Sequence, residues 1–201
     1  MTCTFTDELI EQTIDFHGHS CPGLTIGIRA AELALREIDN PENMVAISET
    51  DMCGVDAIQF LTNCTYGKGN FLHRDYGKMA FSFYDRTTGK GIRILMKQDA
   101  QSDVYSEFRI LMKKEGTNDF STKDSDRLAQ LRTLVKEELM ANDLDDMFSI
   151  THLESGVPRP AMILESLICE CCGESTMESR TRRMGSKTLC IPCFNEREQK
   201  I

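Results

Sequence analysis

Hydrophobic and polar positions alternate along this chain with two different periods. Leu9, Ile10 and Ile14 share one face of a short helix that Thr6 can cap, and Gly18, within Phe16-His17-Gly18-His19, breaks the pattern. Pro22 suits the first turn of a second helix. There Leu24, Ile28, Ala31, Leu35 and Ile38 recur at helical spacing until Asn40-Pro41 stops it. Met44 to Ser48 is a short β-branched, apolar run that predicts a buried strand, and a helix carrying Ile58 and Leu61 follows Asp51-Met52-Cys53-Gly54. Tyr66 to Asn70 reads as a turn. From Phe71 to Lys97 the pattern is that of an antiparallel hairpin, with strands Lys78 to Tyr84 and Ile92 to Met96 around a turn at 85–91. Two further helices are predicted, about Ser102 to Lys113 and Ser125 to Ala141. The second carries a stripe of Leu128, Leu131, Leu134 or Val135, and Leu139. Met147 to Glu154 predicts one more strand.

Gly156, Pro158 and Pro160 disfavour a regular ladder after that strand, and five of the nine cysteines fall behind it. The expected division is an α+β core over 1–155, a linker over 156–167 and a small cysteine-rich domain over 168–201. The 201 residues fit one main domain with an appendage. A charge of -9 repels nucleic acid unless a local basic patch overrides it. An odd cysteine count and an acidic start (Asp7, Glu8, Glu11) speak against a secretory signal and an oxidised framework, so a cytoplasmic location is expected. No stretch approaches the ~20 apolar residues of a membrane helix.

Cys169-Glu-Cys171-Cys172-Gly173 followed by Cys190-Ile-Pro-Cys193 contains C-x2-C-x17-C-x2-C when Cys169 and Cys172 are the first pair. Thiolate pairs of that spacing suit a closed tetrahedral zinc site, and so short a segment needs a metal or disulfides to hold it together. Cys171 is then the spare, because it breaks the two-residue spacing. Residues 169–201 carry six basic side chains (Arg180, Arg182, Arg183, Lys187, Arg197, Lys200) against five acidic ones. Four thiolates around a divalent ion add about -2, so nucleic acid is not the expected partner.

A second constellation lies at the start of the second helix. Asp15-Phe-His17-Gly-His19-Ser-Cys21-Pro-Gly23 crowds two imidazoles, a thiol and a carboxylate together. The positive end of a helix favours a Cys21 thiolate, and His-x-His-x-Cys in an extended segment points three side chains the same way. Asp51, Cys53 and Asp56 sit where a strand gives way to a helix, a place where ligand-binding residues gather. The second helix runs away and the strand Met44 to Ser48 returns, which brings Cys53 back beside Cys21. His19, Cys21 and Cys53 are the expected ligands of one exchangeable divalent metal, zinc or another transition metal. Cys64 is a weaker fourth candidate, and His17, Asp51 and Asp56 are candidates for orienting ligands or moving protons. The Gly67-Lys68-Gly69 turn lacks the spacing of a phosphate-binding loop.

Phe16-His-Gly-His-Ser-Cys-Pro-Gly-Leu24, Asp51-Met-Cys-Gly-Val-Asp-Ala-Ile-Gln59, Cys64-Thr-Tyr-Gly-Lys-Gly-Asn70 and the terminal Cys pairs together resemble the FmdE family, named for formylmethanofuran dehydrogenase, over the whole chain. The resemblance implies an α-β-α-β-β-β core with a mixed sheet, a treble-clef-like zinc finger behind it and an intertwined homodimer. In methanogens the name refers to a molybdenum or tungsten enzyme handling a formyl group. Three functions follow as expectations. The first is a metal-dependent site of unassigned, one-carbon-related reaction. The second is a non-enzymatic metal sensor, carrier or adaptor serving a molybdenum or tungsten enzyme. The third, a regulator working through the finger, is disfavoured by the charge count.

Overall fold

The computed structural model describes residues 3–98 and 102–198, which pack as two compact units divided between Pro160 and Ala161. The first unit is α+β. It opens with α1 (Asp7–His17) and α2 (Pro22–Glu37), followed by β1 (Met44–Ser48), α3 (Gly54–Thr62) and β2 (Phe71–His73). Then come β3 (Ala80–Asp85), β4 (Gly91–Met96), α4 (Asp103–Lys114), α5 (Thr122–Ala141), the short α6 (Leu144–Met147) and β5 (Phe148–Leu153). The five strands form one mixed sheet in the order β2-β1-β3-β4-β5.

The Phe71 segment departs from the antiparallel expectation, since β2 pairs with β1 in parallel, Ala46 opposite Phe71. The reason is the connection: α3 carries the chain back across the sheet, as any parallel neighbour requires. The remaining pairs, β1 with β3, β3 with β4 and β4 with β5, are antiparallel. Helix α5 starts at Thr122, a turn earlier than the apolar stripe suggests. Ser121 accepts the Asp124 N–H while the Asp124 carboxylate accepts the Ser121 N–H, so a capping box sets the start instead. Within α5, Leu128, Leu131, Val135 and Leu139 are buried and Leu134 is exposed.

Helix α2 is buried on two faces. Ile26, Ala30, Leu33 and Ala34 pack with sheet residues such as Phe81, Phe83 and Ile94, whereas Leu24 and Ile28 meet Ala57, Ile10 and Ile14. Such burial also takes in Arg29 and Glu32, 1% and 6% exposed. The Arg29 Nη1 stands 2.8 Å from Glu32 Oε2, Arg29 Nη2 donates to the Asn142 carbonyl, and Glu32 Oε1 accepts the Thr4 N–H. Each buried charge thereby has an opposite charge and a backbone partner, the condition under which an ion pair survives in a core.

Helices α2 and α3 touch through glycine. A Cβ placed at Gly27 would stand 2.2 Å from the Gly54 carbonyl oxygen, and one at Gly23 would stand 3.3 Å from Cys53 Cβ. No larger side chain lets the two backbones approach so closely. Among the described residues, no helix is long and apolar enough to cross a membrane.

The second unit consists of two hairpins and a short helix: β6 (Ser166–Ile168) with β7 (Ser175–Met177), β8 (Thr181–Met184) with β9 (Lys187–Cys190), and α7 (Ile191–Asn195). Gly185 and Ser186 both have positive φ (55° and 67°), as the tight β8–β9 turn demands.

Candidate metal centres

Cys21 is the N-cap of α2. Its sulfur accepts the Leu24 N–H at 3.4 Å, and Pro22 presets the first turn. Cys53 is the N-cap of α3 with its sulfur uncommitted to the cap. His17 closes α1, where Gly18 (φ 90°) reverses the chain and sets the His17 and His19 rings 4.4 Å apart. Three helix termini therefore converge. Donor atoms of His17, His19, Cys21 and Cys53 all lie within 4.8 Å of one another.

Asp56, one turn into α3, stands 2.7 Å from His17 Nδ1 in a hydrogen bond. In the tautomer whose Nδ1–H donates to Asp56, the carboxylate orients the ring and Nε2 is left free. That Nε2 is buried and makes no hydrogen bond, on a side chain only 9% exposed. A buried imidazole nitrogen with no protein partner, grouped with two thiols, has the placement of a metal ligand. Burial, then the hydrogen bond with Cys21, push the Cys53 thiol up. His19 is exposed at the mouth of the cluster. Donors on one zinc, at bond lengths of ~2.0–2.3 Å, stand no more than ~4.6 Å apart, so small side-chain movements fit these four to a borderline divalent ion.

Two sequence candidates lie elsewhere. Cys64 is fully buried in the core, and its sulfur donates to the Met44 carbonyl at 3.3 Å, a common fate for a small apolar residue. Burial pushes its thiol up, and it does not join the cluster. Asp51 is exposed and outside the cluster. His17, expected to orient ligands, stands among the grouped donor atoms, and Asp56 hydrogen-bonds to its Nδ1.

In the second unit, the sulfurs of Cys169, Cys172, Cys190 and Cys193 lie within 4.8 Å of one another. The Cys172–Cys190 separation is 3.9 Å, close to the ~3.8 Å edge of a tetrahedron with ~2.3 Å zinc–sulfur bonds. The Cys190 N–H donates to Cys169 Sγ at 3.3 Å, and such backbone donors draw the Cys169 thiol down to about 6. Its contact with Cys190, then burial, push Cys193 up. Thiols this close cannot all ionise without a cation among them. Cys171 is exposed and outside the four, and Arg197 Nη2 donates to its sulfur at 3.0 Å.

What sequence reasoning missed here is the set of packing partners. Gly27 and Gly54 hold α2 against α3, and the His17–Asp56 pair spans 39 positions. The spacing of Asp56 three residues after Cys53 was the one available signal.

The comparisons with known proteins agree with this layout. Residues 16–149 match the family described as "FmdE, Molybdenum formylmethanofuran dehydrogenase operon", and residues 163–199 match the prokaryotic dksA/traR C4-type zinc finger. A probable S-adenosyl-L-methionine-binding protein of Archaeoglobus fulgidus is 26% identical over 199 residues. That match takes in 92% of this chain, which spans about half (52%) of the relative's length. The crystal structure of a tungsten formylmethanofuran dehydrogenase FmdE-like protein from Syntrophus aciditrophicus shares the fold. Its TM-score is 0.67 at 24% identity, over 98% of this chain and 96% of that one.

Proposed function

The chain belongs to the FmdE family, and from that premise we propose that His17, Cys21 and Cys53 hold one divalent transition-metal ion at a working site. Its zinc finger, Cys169, Cys172, Cys190 and Cys193, is structural. The observation that carries the reading is the buried, partnerless His17 Nε2, fixed by Asp56 beside two thiols at helix starts. Exposed His19 is the displaceable fourth donor. A borderline divalent ion bound there would supply Lewis acidity toward a carbonyl-type group, for which the formyl group in the name of the dehydrogenase operon is the model. Cys21 and Cys53 give negative charge that offsets the ion, Asp56 keeps His17 in the ligating orientation, and His19 moves a proton at the open side. The name of the Archaeoglobus relative adds one ligand class, a molecule bearing a nucleoside.

The proposal extends to the whole chain: an intertwined cytoplasmic homodimer, with a core over 1–155, a linker over 156–167 and a finger over 168–201. The break between Pro160 and Ala161 supports that division. A second reading, a metal sensor or carrier serving a molybdenum or tungsten enzyme, is favoured by the exposure of His19, which leaves the ion within reach of solvent.

Metal analysis of freshly purified protein tests both readings. Two equivalents per chain are expected, falling to one in Cys53→Ser and in His17→Gln. Asp56→Asn keeps the site with roughly 10–100-fold weaker affinity. One equivalent in the native chain, unchanged by Cys53→Ser, overturns the working site. Retention of the core ion through prolonged dialysis favours the enzyme; exchange at cellular metal concentrations favours the sensor or carrier.

A further inference from the structure

Cys53, Asp56 and Phe60 follow one another at i, i+3 and i+7, so one face of α3 carries a proposed metal ligand, its orienting carboxylate and an aromatic ring. Helix α1 matches it, because Phe16 precedes His17 directly. The Phe16 and Phe60 rings lie 5.3 Å apart at a 32° tilt. Phe16 is 56% exposed, and Tyr66, across the same groove, is 77% exposed. The open groove has a volume of about 480 Å³, within the ~300–1,000 Å³ usual for small-molecule sites.

Its lining has a definite chemistry. Besides the three rings it presents Leu9 and Leu61, the polar Gln59, Asn63 and Thr65, and no charged side chain. Rings offer faces for stacking, while amides and a hydroxyl offer donors and acceptors to the edge of a heterocycle. A phosphate would find no cation among the lining groups. Gln59 Oε1 already accepts the Tyr66 N–H at 3.0 Å, so the groove offers the Gln59 Nε2 and the exposed Asn63 amide, a polar edge that a purely apolar chain would not use. Seven residues of helix at 1.5 Å each place Phe60 about 10 Å from Cys53.

We infer that this groove is the subsite for the neutral, planar heterocycle of an elongated nucleoside-type substrate, whose reacting end lies about 10 Å away at the metal cluster. The inference rests on the metal-site reading above. The heterocycle stacks on Phe60 and Phe16, Tyr66 flanks it, and the Gln59 Nε2 and the Asn63 amide read its edge.

Adenosine is the probe, titrated calorimetrically into the full chain as purified. It is expected to bind, with adenosine monophosphate binding no tighter. Phe60→Leu and Tyr66→Leu keep apolar bulk but remove a ring, and each is expected to weaken adenosine by roughly tenfold to a hundredfold at unchanged metal content. Tyr66 is so exposed that its variant folds as the parent does. Cys53→Ser is expected to leave adenosine affinity within about twofold, since adenosine lacks the reacting end. Loss of the core metal in that variant with adenosine binding intact supports the subsite. A native chain holding only the finger zinc would refute the metal reading and with it the reacting end. No adenosine binding at millimolar concentration, or equal affinity in Phe60→Leu and Tyr66→Leu, overturns the inference. So does conversion of a dimer to a monomer by Tyr66→Ser, which would make the groove a contact between copies of this chain.

Discussion

Replacing Gly27 by Ala probes the joint on which the N-terminal cluster depends. The added Cβ meets the Gly54 carbonyl oxygen at 2.2 Å, its Cα at 2.4 Å and its carbonyl carbon at 2.6 Å. All three are backbone atoms, so no rotamer change relieves the clash. Reaching ordinary contact at 3.4 Å requires α2 and α3 to part by 1.2 Å, the difference of the two distances. Overpacking of this kind costs ~1–3 kcal/mol, and contacts this short belong at the upper end. Helix propensity works the other way, since Ala is better than Gly by ~0.5–1 kcal/mol in a helix interior. The net expectation is a loss of about 2 kcal/mol. Because Cys53 immediately precedes Gly54, the same parting draws its sulfur from Cys21, and the proposed core ion should be lost on dialysis while the finger zinc stays. Urea denaturation followed by far-ultraviolet circular dichroism, with metal equivalents counted before and after dialysis, reads both effects. Gly67→Ala, where a Cβ meets nothing within 4 Å, serves as control. A Gly27→Ala protein as stable as the parent, holding its full metal complement, would refute the argument.

Other outcomes test separate parts of the molecule. Cys172→Ser should release the finger zinc and unfold the second unit, whereas Cys171→Ser should keep it; equal zinc loss would overturn the ligand assignment. Hydrogen bonds from Arg93 hold the Glu49 carboxyl below its usual range. Its stabilisation is therefore present above the unfolded value near ~4.3 and lost as pH falls through the folded one. Glu49→Gln should cost about 2 kcal/mol at pH 7 by denaturation, with the gap to the parent closing in acid; a gap independent of pH would contradict this. Glu32→Leu leaves the Arg29 charge buried and should cost ~3–5 kcal/mol, most of it recovered by adding Arg29→Met. A double variant as unstable as the single one would show that the pair is more than a compensated burial.

Much of the first unit was legible because its signals are local. The apolar run of β1, the Asn40-Pro41 stop after α2 and the Gly18 break after α1 each act within a few residues. The meeting of Cys21 and Cys53 could be reasoned from connection alone, a helix out and a strand back. Strand β2 was not separable from its neighbours, because three residues carry no period and its parallel partner lies before α3. The burial of Arg29 and Glu32 escaped a stripe-based reading, since that assumes one dry face and α2 has two. Cys64 illustrates the converse. Its place in the motif suggested a ligand, yet only the packing around Met44 shows that it fills core volume.

The cap at the start of α2 sets evolution a choice between a sturdier helix and a usable sulfur. Serine is among the best residues at such a position, and its oxygen would accept the Leu24 N–H more strongly than the Cys21 sulfur that now takes it at 3.4 Å. Cys21→Ser should therefore raise the stability of the metal-free protein by about 0.5–1 kcal/mol while weakening its hold on the core ion. A lineage that abandoned the metal would drift toward serine there under selection for stability alone. On the proposed metal site, the amino acid at this one helix start is set by the ion rather than by the helix.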